Sequence, residues 1–191
     1  GSYNLENCLL AVAIAAHSGV DPLVLGQSLT TLTGAPGRLE RIVNGQEFTA
    51  LVDFAHSPDA VTKVLHTARE TTNSRLIGVL GCGGDRDKTK RSLMGKALYE
   101  GCDVAIFTSD NPRNEDPVSI LNEMTANLSL GESQKVIVDR AAAIEYAIKI
   151  AQPGDTVVVL GKGHETGQEI NGVKIPFSDQ AELRKAIANL K

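Results

Sequence analysis

Four short segments gather the residues able to hold or polarise a small charged ligand: DFAHSPDA (53–60), GCGGDRDKTKR (81–91), SDNPRNEDP (109–117) and GKGHETGQ (161–168). Glycine lets a backbone approach an anion closely, and Arg86, Lys88, Lys90 and Arg91 crowd where a helix should begin. Cations are unfavourable at that end of a helix unless an anion is present. The glycines do not form a dinucleotide fingerprint, because Arg86 stands where the third glycine is needed. His56 and His164 fall within these segments, whereas His17 and His66 do not and read as packing or surface residues. No two histidines, and no histidine and cysteine, have metal-ligand spacing, so no metal site is expected in the chain.

Each segment follows an apolar run ending at Val52, Leu80, Thr108 or Leu160. RLIGVLG (75–81) reads as a strand buried on both faces, and DVAIFTS, KVIVD and DTVVVLG repeat the type, separated by helical patterns. Ser57 and Pro58 open a helix with Val61, Val64, Leu65 and Ala68 on its apolar face. Asn44-Gly45 signals a hairpin, and Asp179 with Glu182 has capping-box spacing for the last helix. The alternation predicts an α/β fold with a doubly wound, mostly parallel sheet. All four polar segments then share the carboxyl edge of the strands, where ligands of such sheets collect. The opposite edge carries plain connectors such as QPGD.

Before this pattern come two helices without a strand of their own, one from Asn4 as N-cap to Ala16, the other from Asp21 and Pro22 to about Leu32. The linker TGAPGR (33–38) separates them from the rest, giving expected domains at 1–33 and 34–191. Hydrophobic residues at 42% fit a packed globular chain, and a net charge of −4 with scattered cations argues against nucleic acid as a partner. Cys8, Cys82 and Cys102 show no CxxC pairing, which fits a reducing cytoplasm. The apolar stretch 8–16 is too short to span a bilayer, so no membrane association is expected.

Taken in order, GAPGRLERI, DFAHSPDA, GCGGDRDKTKR, DNPRNEDP and GKGHET resemble the C-terminal domain of the Mur ligases, in particular the tripeptide synthetases that add meso-diaminopimelate. The opening YNLENCLLAVAIA resembles the end of that family's central ATPase domain. The resemblance implies a Rossmann-like amino-acid-binding domain preceded by a short helical remnant of the ATPase domain. It also implies ATP with Mg2+ as cofactors, and UDP-MurNAc-dipeptide with meso-diaminopimelate as substrates. An acyl phosphate would form on the dipeptide and be attacked by the incoming amine.

Carried over by residue, the family pattern implies that Asn7 contacts adenine and Arg38 the ribose, with Asp53 and His56 supporting the ATP side and Asp85 and Lys88 nearby. For the amino acid it implicates Arg86, Asp110, Asn111, Arg113, Gly161 and Glu165. Diaminopimelate carries a distal carboxylate that lysine lacks, and a guanidinium holds a carboxylate with two parallel hydrogen bonds. Arg113 is the family's residue for this, and Glu165 is placed for the distal ammonium. Facing lysine, Arg113 would lack its partner, at roughly 2–5 kcal/mol. No G-x-x-x-x-G-K-[ST] phosphate loop occurs, so the chain alone is expected to be inactive, its missing domains supplying the loop and metal ligands. The alternatives are a lysine-adding ligase of the same family and a stand-alone nucleotide-binding or regulatory module.

Overall fold

The computed structural model describes residues 2–31 and 34–190 and divides into two compact units, Gly1–Ala35 and Pro36–Lys191. The first unit holds α1 (Ser2–His17) and α2 (Pro22–Thr31). Helix α1 opens at Ser2, so Asn4 lies within it rather than capping it. Gly19, at φ 89°, ends the first helix, and the Asp21 carboxylate accepts from Leu23 N at 2.7 Å to start the second. Leu5, Leu9, Leu10, Ile14, Leu23 and Val24 are exposed on this pair. Leu32 and Thr33, the expected helix end and the start of the linker, lie outside the described residues.

The second unit runs β1 (Glu40–Ile42), β2 (Thr49–Asp53), α3 (Pro58–Glu70), β3 (Leu76–Cys82), α4 (Thr89–Gly101), β4 (Val104–Ser109), α5 (Pro117–Thr125), β5 (Gln134–Val136), α6 (Arg140–Ile150), β6 (Thr156–Leu160), β7 (Gly167–Ile170), β8 (Val173–Pro176) and α7 (Asp179–Ala188). Six strands form one sheet in the order β1-β2-β6-β3-β4-β5, parallel apart from β1. Successive side chains of a strand face opposite sides, and the apolar runs therefore feed two cores. Leu76, Leu80, Val158 and Leu160 pack with Val61, Leu65, Leu98, Ile120 and Leu121 from α3, α4 and α5. Ile77, Val79, Val157 and Val159 pack with Ala143, Ile144, Ile148, Leu183 and Ile187 from α6 and α7. The doubly wound, mostly parallel sheet expected from the sequence is present.

Ser57 caps α3, with Pro58 at its first position and Val61, Val64, Leu65 and Ala68 buried, as the pattern required. Three local expectations are corrected. The turn at Asn44-Gly45 is wider than a two-residue hairpin, since Ile42 is opposite Ala50. The Gln46 side chain spans it, accepting from Asn44 N at 2.8 Å and donating to Ile42 O at 2.7 Å. KVIVD forms only the short edge strand β5, half-buried to exposed, because no further strand covers it. Helix α7 is capped by Ser178 rather than Asp179, whose carboxylate is buried against Arg140.

Candidate functional site

The loops that leave the carboxyl ends of β2, β3, β4 and β6 enclose a cleft of about 370 Å³. His56, Arg86, Asp110, Asn111, Arg113, Gly161 and Glu165 all line it, together with Phe54, Cys82 and Lys90. Four separate stretches of sequence therefore converge because their strands are neighbours in the sheet.

Behind the lining residues lies Lys162, with no side-chain exposure. Its ammonium donates to Asn111 Oδ1 at 2.9 Å and to Glu165 Oε2 at 2.8 Å, and stands 3.9 Å from Asp110 Oδ1. Asn111 Nδ2 donates to the same Glu165 oxygen at 2.9 Å, and Asn111 Oδ1 also accepts from Glu169 N at 3.0 Å. The amide is thereby fixed in one orientation: its oxygen faces only donors and its nitrogen an acceptor. Burial alone would raise the Glu165 carboxyl, but the bonds from Lys162 and Asn111 outweigh it and hold the group below the usual carboxylate range. Asp110 is raised instead, because its burial outweighs the fields of Arg140 and Lys162.

Arg113 adopts φ 51°, a left-handed conformation uncommon outside glycine. Its backbone holds it there, N donating to Glu169 O at 3.0 Å and O accepting from Asn171 N at 2.7 Å. Its Nη1 donates to Gly84 O at 2.7 Å, and its Nε lies 3.3 Å from Glu169 Oε2. A Cβ on Gly83 would stand 3.0 Å from Nη1, so the glycine there gives the guanidinium room.

The crowd of cations before α4 is less anionophilic than its sequence suggests. Arg91 is buried and takes Glu115 through both terminal nitrogens at 2.8 and 2.9 Å, and Glu123 at 2.8 Å. Lys88 pairs with Glu115 at 3.1 Å and does not line the cleft. Asp85 is likewise turned to the loop, where it accepts from the Asn114 amide at 2.8 Å. Acidic partners supplied from the α5 side neutralise Lys88 and Arg91, leaving Arg86 and Lys90 as lining cations with no hydrogen bond or ion pair among the described residues.

Of the residues that the family resemblance assigns to a nucleotide, His56 lines the cleft beside Phe54, ring centroids 4.7 Å apart, and the Arg38 guanidinium lies 5.2 Å from the Phe54 centroid. Asp53 is buried and outside the lining; it accepts from Leu39 N and Ala55 N, both at 2.8 Å, and so shapes the backbone on either side. Asn7 is exposed within the first unit.

Two participants escaped the sequence reading. Lys162 stands between Gly161 and Gly163, a spacing that matches no phosphate loop and gives no sign of its burial. Glu169 lies on the β7–β8 hairpin, whose Asn171-Gly172 turn has φ 49° and 73° and was legible as N-G between β-formers.

A model of the family described as Mur ligase, glutamate ligase domain, matches residues 37–163. The chain belongs to the Mur ligase family. Among its relatives is the UDP-N-acetylmuramoyl-L-alanyl-D-glutamate–2,6-diaminopimelate ligase of Streptomyces coelicolor, 50% identical over 98% of this chain and 38% of the relative. The ligase of the same name from Geobacillus thermodenitrificans is 46% identical over 98% and 38%. A solved structure of a ligase with that name superposes with TM-score 0.79 and 43% identity, over 100% of this chain and 39% of the other. The Mur ligase chain spans about 38% of the length of the curated relatives it matches. UDP-N-acetylmuramate–alanine ligase MurC from Thermotoga maritima, at 16% identity and TM-score 0.65, shares the fold.

Proposed function

We propose that this chain is the part of an ATP-dependent amide ligase that receives meso-diaminopimelate and presents its amine to an activated UDP-MurNAc-dipeptide. The observation that carries the reading is a cleft in which a guanidinium and a carboxylate, Arg113 and Glu165, face the same space from β4 and β6. Diaminopimelate's distal carbon bears one group of each complementary sign. Arg113 retains Nη2 for the carboxylate, and Glu165 retains Oε1, which has no protein hydrogen bond among the described residues, for the ammonium. Asp110, Asn111, Gly161 and Arg86 complete the walls. The high identity to several diaminopimelate ligases supports the same substrate.

In the reaction proposed, the free amine forms a C–N bond to the acyl phosphate carbon, the C–O bond to phosphate breaks, and phosphate departs with that electron pair. The amine gives up its proton. What this chain contributes is positioning: two fixed charges hold the far end of the amino acid so that its near end is presented at the cleft mouth. Asn7, Arg38 and His56 are assigned to the nucleotide side, and Asp53 acts there through the backbone it shapes. The residues present do not fit a Mg2+ site: among the described residues no group of three His, Cys, Asp or Glu is arranged to hold a metal ion. In this reading the Mg2+ ligands and phosphate loop belong to the rest of the ligase, and this chain alone does not turn over. Among the described residues no helix is long and apolar enough to cross a membrane; the proposed substrates place the reaction in the cytoplasm.

The test is phosphate release by the full-length ligase with ATP, Mg2+ and UDP-MurNAc-dipeptide. Strong preference for meso-diaminopimelate over L-lysine is expected. Equal use of lysine overturns the substrate assignment, and release with neither amino acid overturns the ligase reading.

A further inference from the structure

We infer that Lys162 is a positioning residue for amino-acid selection, holding Glu165 and Asn111 in the arrangement that reads the distal ammonium, without touching the substrate itself. The inference deepens the function proposed above and rests on it.

Three observations support it. Lys162 is fully buried, so its ammonium has exchanged water for protein and must be neutralised by neighbours. Those neighbours are the polar groups of the proposed pocket: Glu165 at 2.8 Å, Asn111 at 2.9 Å and Asp110 at 3.9 Å. Finally, both bonds that Glu165 receives from side chains converge on Oε2. A carboxylate tethered by one oxygen presents the other, and the free Oε1 is the acceptor available to a substrate ammonium. The tether comes from a buried lysine rather than from solvent, so its direction is set by β6, whose end at Leu160 precedes Lys162 by two residues.

Removing the tether should leave Glu165 held only by Asn111 Nδ2 among the described residues, and Asn111 Oδ1, with Glu169 N as its remaining donor, less firmly fixed to hold it. Glu165 would keep Arg113 as its nearest cationic influence, and Asp110 would keep Arg140, opposed by Asp179. Neither substitute forms a hydrogen bond or ion pair with its carboxylate among the described residues. The effect should therefore fall on amino-acid recognition, not on the nucleotide.

The experiment is a steady-state comparison of Lys162→Met, Glu165→Gln and the double variant in the full-length ligase, with KM for meso-diaminopimelate and KM for ATP measured separately. For Lys162→Met the expected result is a rise in the diaminopimelate KM of about tenfold or more, as when an orienting partner is lost, with the ATP KM unchanged. Adding Glu165→Gln to that variant should change little, because its target is already displaced. An unchanged diaminopimelate KM, or independent, multiplying effects of the two substitutions, overturns the inference. If Lys162→Met does not fold, Lys162→Gln is carried through the same comparison. A ligand-free readout separates this inference from the function on which it rests: carbon-13 titration of the Glu165 carboxyl in the 191-residue chain. An upward move of that carboxyl in the variant supports the tether even if the wild type ignores diaminopimelate. No move overturns it.

Discussion

Glu169 occupies one edge of the Arg113 guanidinium, its Oε2 lying 3.3 Å from Nε. The pairing joins the β7–β8 hairpin to the loop after β4, and the backbone bond from Arg113 N to Glu169 O reinforces it. With Nη1 committed to Gly84 O, the guanidinium is oriented before any ligand arrives. Preorganisation of this kind spares the ordering that binding would otherwise require.

Arg113→Ala should therefore abolish the discrimination between diaminopimelate and lysine. Losing one partner of a buried charge pair costs roughly 2–5 kcal/mol, about thirtyfold or more in kcat/KM for diaminopimelate. Lysine should be affected far less. Phosphate-release kinetics with both amino acids check this, and an equal loss for the two would sink it.

Gly161 is a position where the cleft tolerates no side chain. Its φ is 111°, and a Cβ would stand 2.7 Å from Asp110 Oδ2. Gly161→Ala should cost about 1–3 kcal/mol of backbone strain, lowering Tm by roughly 2–4 °C per kcal/mol for a chain of this size. Calorimetry checks the stability. Titration of the full-length ligase should show weakened diaminopimelate binding beside it.

Behind the cleft, Arg140 is buried with Asp179, its Nε and Nη2 each 2.7 Å from a carboxylate oxygen, and it also donates to Ser109 O and Leu160 O. It thus ties the ends of β4 and β6 to the start of α7. Arg140→Met leaves Asp179 buried and unpaired, at a cost of about 3–5 kcal/mol. Arg140→Met combined with Asp179→Leu should recover much of it. Urea unfolding of the wild type and the two variants decides: no recovery in the double variant would show that the carbonyl bonds, not the ion pair, matter.

Acid should weaken the fold through Asp155 at the opposite edge of the sheet. Burial raises this carboxyl, but hydrogen bonds from the Arg75 side chain and from Gln152 and Arg75 backbone outweigh it, leaving the group below the usual range. A depressed carboxyl contributes stability above its unfolded value, about 4, and loses it as pH falls through the folded value. Asp110 is raised by burial and acts in the opposite sense, so the informative quantity is the difference between wild type and Asp155→Asn. That difference in urea midpoint should be large at pH 7 and shrink below pH ~4. A constant difference would refute the assignment.

Thiol reactivity should separate the cysteines cleanly. Desolvation pushes both Cys82 and Cys102 up to about 12, whereas Cys8 is exposed. The thiolate is the reactive form. Iodoacetamide at pH 8 should label the native chain once and the urea-unfolded chain three times, read by intact mass.

The sheet was legible because its central strands are long, apolar and buried on both faces, as β3 and β6 are. The convergence of the candidate residues was legible where polar segments sit in the loops directly after those strands: Asp110, Asn111, Arg113, Gly161 and Glu165 meet in one cleft. What escaped depends on pairing across sequence. Nothing near Arg91 or Lys88 announces Glu115 and Glu123 as their counter-charges, and so the cations looked free. Asp179 suited a local cap, but a buried guanidinium from α6 claimed it while Ser178 capped the helix. Lys162 resembles a surface residue by type, and only the fold shows it enclosed.

Strand order carries a consequence for how the chain is made. The strand placed between β2 and β3 is β6, with Thr156 opposite both Thr49 and Leu76. On the ribosome, β2 and β3 emerge before β6 and must wait, each with an unpaired edge, until β6 has followed. Pairing so distant in sequence is slow to form and prone to intermolecular capture in the interval. A nascent chain stalled before residue 156 has no centre to its sheet, and chaperone dependence should end only when that last core strand clears the exit tunnel.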